Sequence, residues 1–249
     1  SAGSFVDPSP SVTGDEYYTP GDGRERFAYI PAAVLPKIKE LPKWDQGKIY
    51  AVDGASAAAD VWIDYNMNSA KEGTDWTTVL LTPLREGGES LLALDVTDPT
   101  ATAGYHGPYP RLMWEFTNSR LGQTWSKPIF TKLKIRAGLA VGDRCGIDNG
   151  DGDCVEEWVA IFGAGYYPQG DPNLSTYTND PNSGSYTTKG RGVFIVRVED
   201  GTILGQLAQD PNSATYSKMR YAIPAEPAVL DLNFDGFADV VYIGDLGGQ

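Results

Sequence analysis

The stretch WTTVLLTPLREGGESLLALDV, residues 76–96, reads as two apolar, β-branched runs, Trp76–Leu81 and Leu91–Val96, on either side of a Gly-containing turn. A loop and a further run, LMWEF (112–116), follow it. Outward along the chain the same order recurs. Trp158-Val-Ala-Ile-Phe-Gly163 leads through a long polar insertion to Gly192-Val-Phe-Ile-Val196 and then Thr202-Ile-Leu204. Asp239-Val-Val-Tyr-Ile-Gly244 opens the pattern a third time. The repeated run begins near 76, 158 and 239, a period of about eighty residues that suits supersecondary units stacked in series. With four strands per unit, the reading is all-β: a partial, modified β-propeller of four-stranded blades enlarged by long loop insertions.

The remaining expected strands are KIYAV (48–52), DVWID (60–64), PIFTKLKI (128–135) and PAVLDL (227–232). Helical periodicity is confined to PAAVLPKIKEL (31–41), a short helix expected to be interrupted near Pro36. Residues 1–25, rich in Ser, Pro, Gly and Asp, read as an irregular segment, and 26–249 as the propeller domain. Tryptophans 44, 62, 76, 114, 125 and 158 fall mostly in or beside strands and read as blade core.

The net charge is −13, so no basic face is available for nucleic acid or an anionic membrane, and a cation such as Ca²⁺ is the favoured partner. No apolar stretch is long enough to span a bilayer as a helix. The opening SAGSFVDPSPSV has neither the charged nor the apolar part of a signal peptide, as a mature or truncated chain would not.

The slot between the first and second strands of each unit is acidic. The third slot holds Asp231, Asn233, Asp235 and Asp239 at positions 1, 3, 5 and 9, with Gly236 at position 6. Alternating oxygen side chains and a glycine turn match the front of a Ca²⁺ loop, and the Phe237 carbonyl at position 7 can add a further ligand. A twelve-residue EF-hand would end on Glu, whereas here position 12 is Tyr242, so Asp239 is expected to close a shorter loop. The alternative is an acidic β-turn. In the second slot Asp148, Asp151, Asp153 and Glu156 have the composition of a cation site but not its spacing. In the first, Asp64, Asn66, Asn68 and Glu72 stand at positions 1, 3, 5 and 9 without a glycine after Asn68.

Cys145 and Cys154 bracket the second slot and are expected to form a disulfide, which implies an oxidising compartment; free thiols are the alternative. With His106 the sole histidine, a Cys/His metal site is disfavoured and His106 reads as a loop residue. No G-x-S-x-G elbow, Walker loop or dinucleotide fingerprint occurs.

Six motifs in order resemble the C-terminal domain of the PilY family: GRERFAYIPAAVLPKI (23–38), YAVDG (50–54), WTTVLLTPLREGGESLLALDVTDP (76–99), RLMWEFTNSRLGQTWSKPIF (111–130), EEWVAIFGAGYY (156–167) and PAEPAVLDLNFDGFADVVYIGDLGGQ (224–249). The resemblance spans about residues 24–249, apart from insertions at 166–190 and 208–220. It implies a calcium-dependent, non-enzymatic module of an exported protein at type IV pilus tips. Such a module supports extension against retraction, works with minor pilins and the tip complex, and adheres to host or abiotic surfaces. The location implied is the cell surface, reached through the periplasm. In the family's calcium loop position 3 is Asp; here it is Asn233. The family usually continues past the GDLGGQ on which this chain ends, so a fragment of a larger ring is expected. Two rivals share the strand pattern. A quinoprotein dehydrogenase carries motifs like Leu94-Asp95 and Trp114 but usually needs adjacent cysteines, which are absent here. An integrin- or lectin-like binding propeller would have no connection to pili.

Overall fold

Strand assignment follows burial more than propensity. A computed structural model describes residues 25–42, 47–66, 68, 70–136 and 154–248, with backbone alone at 4–5, 18–19 and 154. The chain divides into two units, Ser1–Ile30 and Pro31–Gln249. In the first, β1 (Ser4–Phe5) pairs antiparallel with β2 (Tyr18–Thr19). All else concerns the second.

Two four-stranded antiparallel sheets are formed by strands in chain order: β3 (Ala57–Trp62), β4 (Trp76–Pro83), β5 (Leu91–Asp95) and β6 (Arg111–Phe116), then β7 (Ile129–Arg136), β8 (Cys154–Gly163), β9 (Gly192–Arg197) and β10 (Ile203–Ala208). A two-stranded sheet of β11 (Ala228–Leu230) and β12 (Val240–Tyr242) follows. The repeated runs at 76, 158 and 239 fall on β4, β8 and β12, the second strand of each sheet, as the sequence period requires.

Side-chain alternation on β8 and β9 explains why those runs are apolar throughout. Ala160, Phe162, Phe194 and Val196 face the first sheet and pack with Val61, Val79, Leu81, Leu91 and Phe116. Val159, Ile161, Val193 and Ile195 face the other way, against Leu204 and Ile223, with Val229 of β11 and Ile243, just after β12, packed alongside. A sheet buried on both faces has no polar side to write into its sequence. The Phe116 ring meets Phe162 and Phe194 edge-on at 5.7 and 5.4 Å, and Trp114 Nε1–H donates to the Val198 carbonyl at 2.8 Å. These contacts join the two four-stranded sheets face to face.

Gly165 shows why GAGYY needs its glycines. Its φ is +89°, and a Cβ there would lie 2.0 Å from the Gln123 carbonyl oxygen. That close approach lets the connection after β8 bridge to Gln123 and Ile223.

Three expectations are corrected. Residues 48–52 form no strand, because they lie outside every sheet. Pro36 does not interrupt the helix: a 3-10 turn (Ala32–Val34) runs into α1 (Leu35–Ile38), and Pro36 sits in its first turn, where the missing N–H has no partner to lose. Trp76 is 40% exposed, and among the described tryptophans only Trp114 is buried.

Candidate metal centre

β11 and β12 are joined by residues 231–239, so the third acidic slot is a hairpin loop. Its polar side chains turn onto its own backbone. The Asp235 N–H donates to Asp231 Oδ1 (3.2 Å) and Asn233 Oδ1 (3.1 Å), and the Gly236 N–H to Asp231 Oδ2 (2.7 Å). The Phe237 N–H donates to Asp235 Oδ1 (2.9 Å) and the Leu232 N–H to Asp239 Oδ2 (2.8 Å). Thus the side chains at positions 1, 3, 5 and 9 all fold back onto the loop's own backbone.

Two positive-φ residues allow the winding. Gly236 has φ +87°, which an L side chain rarely adopts. Phe234 adopts φ 61° although its ring is 90% exposed, so the loop's polar groups, and no apolar anchor, hold that conformation. The Ala238 N–H donates to the Lys132 carbonyl (2.9 Å) and the Lys132 ammonium lies 4.9 Å from the Phe237 ring centroid, tying the loop to β7. None of Asp231, Asp235 and Asp239 forms an ion pair with a described lysine or arginine. The donor set fits a hard divalent cation: three carboxylates, an amide oxygen and an available carbonyl, with no softer ligand. As folded here, no three acidic, histidine or cysteine side chains among the described residues form a ready-made metal cluster. Binding would therefore draw the carboxylates inward from the N–H groups that now hold them.

The first slot, between β3 and β4, repeats the pattern. The Asn68 N–H donates to Asp64 Oδ1 (3.1 Å) and Asn66 Oδ1 (3.0 Å), and the Ala70 N–H to Asn68 Oδ1 (2.7 Å). These are the bonds made from positions 5 and 7 in the third slot. In the second slot Cys145, Asp148, Asp151 and Asp153 lie outside the described residues, as does the side chain of Cys154. Glu156, the remaining member of that set, is bonded to Lys71 Nζ at 2.9 Å.

Sequence reading missed a polar cluster at the end of β5. Asp95 is fully buried and accepts from the Thr97 N–H (3.0 Å), the Thr97 hydroxyl (2.5 Å) and Arg111 Nη2 (3.2 Å). His106 Nδ1 lies 3.0 Å from Asp95 Oδ2 and its Nε2 lies 3.2 Å from the Thr74 carbonyl. The loop histidine is thus a clasp between segments. The available signal was its place eleven residues after a strand-ending acid, too weak to use.

No family model matches the chain. Among curated proteins it is 30% identical over 235 residues to the type IV pilus biogenesis factor PilY1 homolog of Xylella fastidiosa, covering 91% of this chain and 12% of that protein. It is 29% identical over 234 residues to type IV pilus biogenesis factor PilY1 of Pseudomonas aeruginosa, covering 92% of this chain and 15% of that one. The crystal structure of the Pseudomonas aeruginosa PilY1 C-terminal domain matches with TM-score 0.52 and 28% identity over 92% of this chain and 34% of that chain. The chain is homologous to PilY1 over nine-tenths of its own length and matches the C-terminal domain of that protein.

The sequence and structure comparisons with the Pseudomonas aeruginosa protein each cover 92% of this chain. The chain spans about an eighth of the length of the curated PilY1 proteins it matches. No described helix is long and apolar enough to cross a membrane.

Proposed function

We propose that this chain is a calcium-binding β-propeller segment, residues 26–249, of an exported type IV pilus-associated protein. It supports pilus biogenesis, favouring extension over retraction, and contributes to surface adhesion. The relationship to PilY1 biogenesis factors over nine-tenths of the chain carries this reading. The place of action is the cell surface at the pilus tip, reached through the periplasm. The partners are minor pilins of the tip complex and a host or abiotic surface.

Calcium is held by the side chains of Asp231, Asn233, Asp235 and Asp239 and the carbonyl of Phe237. Its role is structural and regulatory rather than catalytic, because these residues include no nucleophile and no general base poised beside one. The ion would offset the mutual repulsion of three carboxylates that lack described ion-pair partners, and so tighten the hairpin packed beside β7.

Replacing Asp235 with Ala tests both halves. At a calcium concentration a hundredfold above the Kd of this loop, the loop contributes about 2.7 kcal/mol of stability to the wild-type protein, and the variant loses that contribution. In cells the variant alters pilus extension or retraction. A variant whose calcium-dependent rise in Tm equals that of the wild type contradicts the site; one whose rise is reduced yet keeps normal piliation contradicts the regulatory role.

A further inference from the structure

The loop between β3 and β4 has something the 231–239 loop lacks. Counted from Asp64, position 12 is Asp75, where the third slot has Tyr242. Asp75 is fully buried. Its Oδ2 accepts from the Glu72 N–H at 3.1 Å, which turns the carboxylate towards the loop, while its Oδ1 has no hydrogen-bond partner. A buried carboxylate oxygen without a donor is costly, and a cation is one of the few things that can satisfy it.

The other oxygen-bearing residues are linked to Asp75 through Glu72. Glu72 and Asp75 cap each other reciprocally, each side chain accepting from the other's backbone N–H. Glu72 also receives the amide groups of Asn66 (3.2 Å) and Asn68 (3.3 Å), and Asn68 is bonded through its N–H to Asp64. Lys71, the basic residue of this loop, points away: its ammonium bonds Glu156 at 2.9 Å and lies 5.2 Å from the Trp62 ring centroid. No internal ammonium neutralises Asp75 from within the loop.

We propose that residues 64–75 form a second site for a hard divalent cation, tested as Ca²⁺. The side chains of Asp64, Asn66, Asn68 and Asp75 and the Ala70 carbonyl are ligands, and Glu72 at position 9 acts directly or through water. Positions 1, 3, 5, 7, 9 and 12 are those that supply oxygens in a full twelve-residue calcium loop. Position 6 is Ser69 where such loops carry glycine, and position 12 is the shorter Asp in place of Glu. Both weaken the site, and its Kd belongs with extracellular modules at about 10⁻⁴–10⁻³ M.

Calorimetric Ca²⁺ titration of the full chain in an Asp235→Ala background isolates this site from the one proposed at 231–239. One bound equivalent is expected there. Adding Asn68→Ala, a change in the exposed part of the loop, should weaken it at least tenfold, and adding Asp75→Asn should abolish it. Because Asp75 also caps the turn before β4, circular dichroism of each variant checks that the sheets persist, and the Asn68→Ala result stands if Asp75→Asn fails to fold. The proposal is overturned if the Asp235→Ala protein binds no Ca²⁺ at 10 mM, or if Asn68→Ala leaves the remaining affinity unchanged. If the 231–239 site alone is wrong, wild-type and Asp235→Ala proteins each bind one equivalent and Asn68→Ala weakens it.

Discussion

At Asp95, burial and hydrogen bonding pull in opposite directions. Burial disfavours the carboxylate, but the Thr97 hydroxyl, the Thr97 N–H and His106 outweigh it and hold the group below its ordinary value of 3.8. A folded value below the unfolded one means that the stabilisation is present at neutral pH and is lost as pH falls through the folded value. Asp95→Asn should therefore destabilise the protein by about 1–3 kcal/mol at pH 7, and the gap should narrow as pH falls below about 4. Denaturant midpoints of both proteins across that range check it; a gap that widens on acidification contradicts the assignment. Arg191 is a second residue on which local structure turns. It is fully buried, donates to Asn179 Oδ1 (3.0 Å) and the Thr178 carbonyl (2.9 Å), and lies between Tyr177 and Tyr186, so it fixes an insertion that looked merely polar. Neither residue advertised its role in sequence, because burial of a lone charge depends on what arrives from distant segments.

Elements were legible wherever one strand's own side chains decide its state. The apolar runs of β4, β5, β8 and β9 could be read directly, since both faces of those strands pack. KIYAV has the composition of a strand but pairs with no other strand, and composition cannot report the absence of a partner. The calcium-like slots were legible from spacing alone, as position in a wound loop follows residue number. What spacing could not give was the buried oxygen of Asp75, which follows from tertiary packing at the foot of β4. The second slot begins after β7 and ends at Cys154, the first residue of β8, paired opposite Arg136. A Cys145–Cys154 bond would anchor that loop to the start of β8 and add about 2–3 kcal/mol by the loop-entropy argument. Thiol labelling of the denatured, unreduced protein should find no reactive cysteine; two labelled thiols would show that the bond is absent.

For the molecule as a whole, the repeat places every acidic slot after the first strand of its sheet. Cross-links show that these regions adjoin: Lys71 in the first loop bonds Glu156 on β8, Glu156 lies 3.9 Å from Lys132 on β7, and the Lys132 carbonyl accepts from Ala238 in the third loop. Oxygen-rich loops on adjoining sheets of a chain with net charge −13 make divalent cations the natural counter-charge of that edge. Cation loading there would stiffen neighbouring hairpins together. Crystals grown in millimolar calcium and measured for anomalous scattering test this account most directly. It predicts a peak inside the 231–239 loop, at about 2.3–2.6 Å from the side-chain oxygens of Asp231, Asn233, Asp235 and Asp239 and the Phe237 carbonyl. A loop with the fold described and no peak would contradict it.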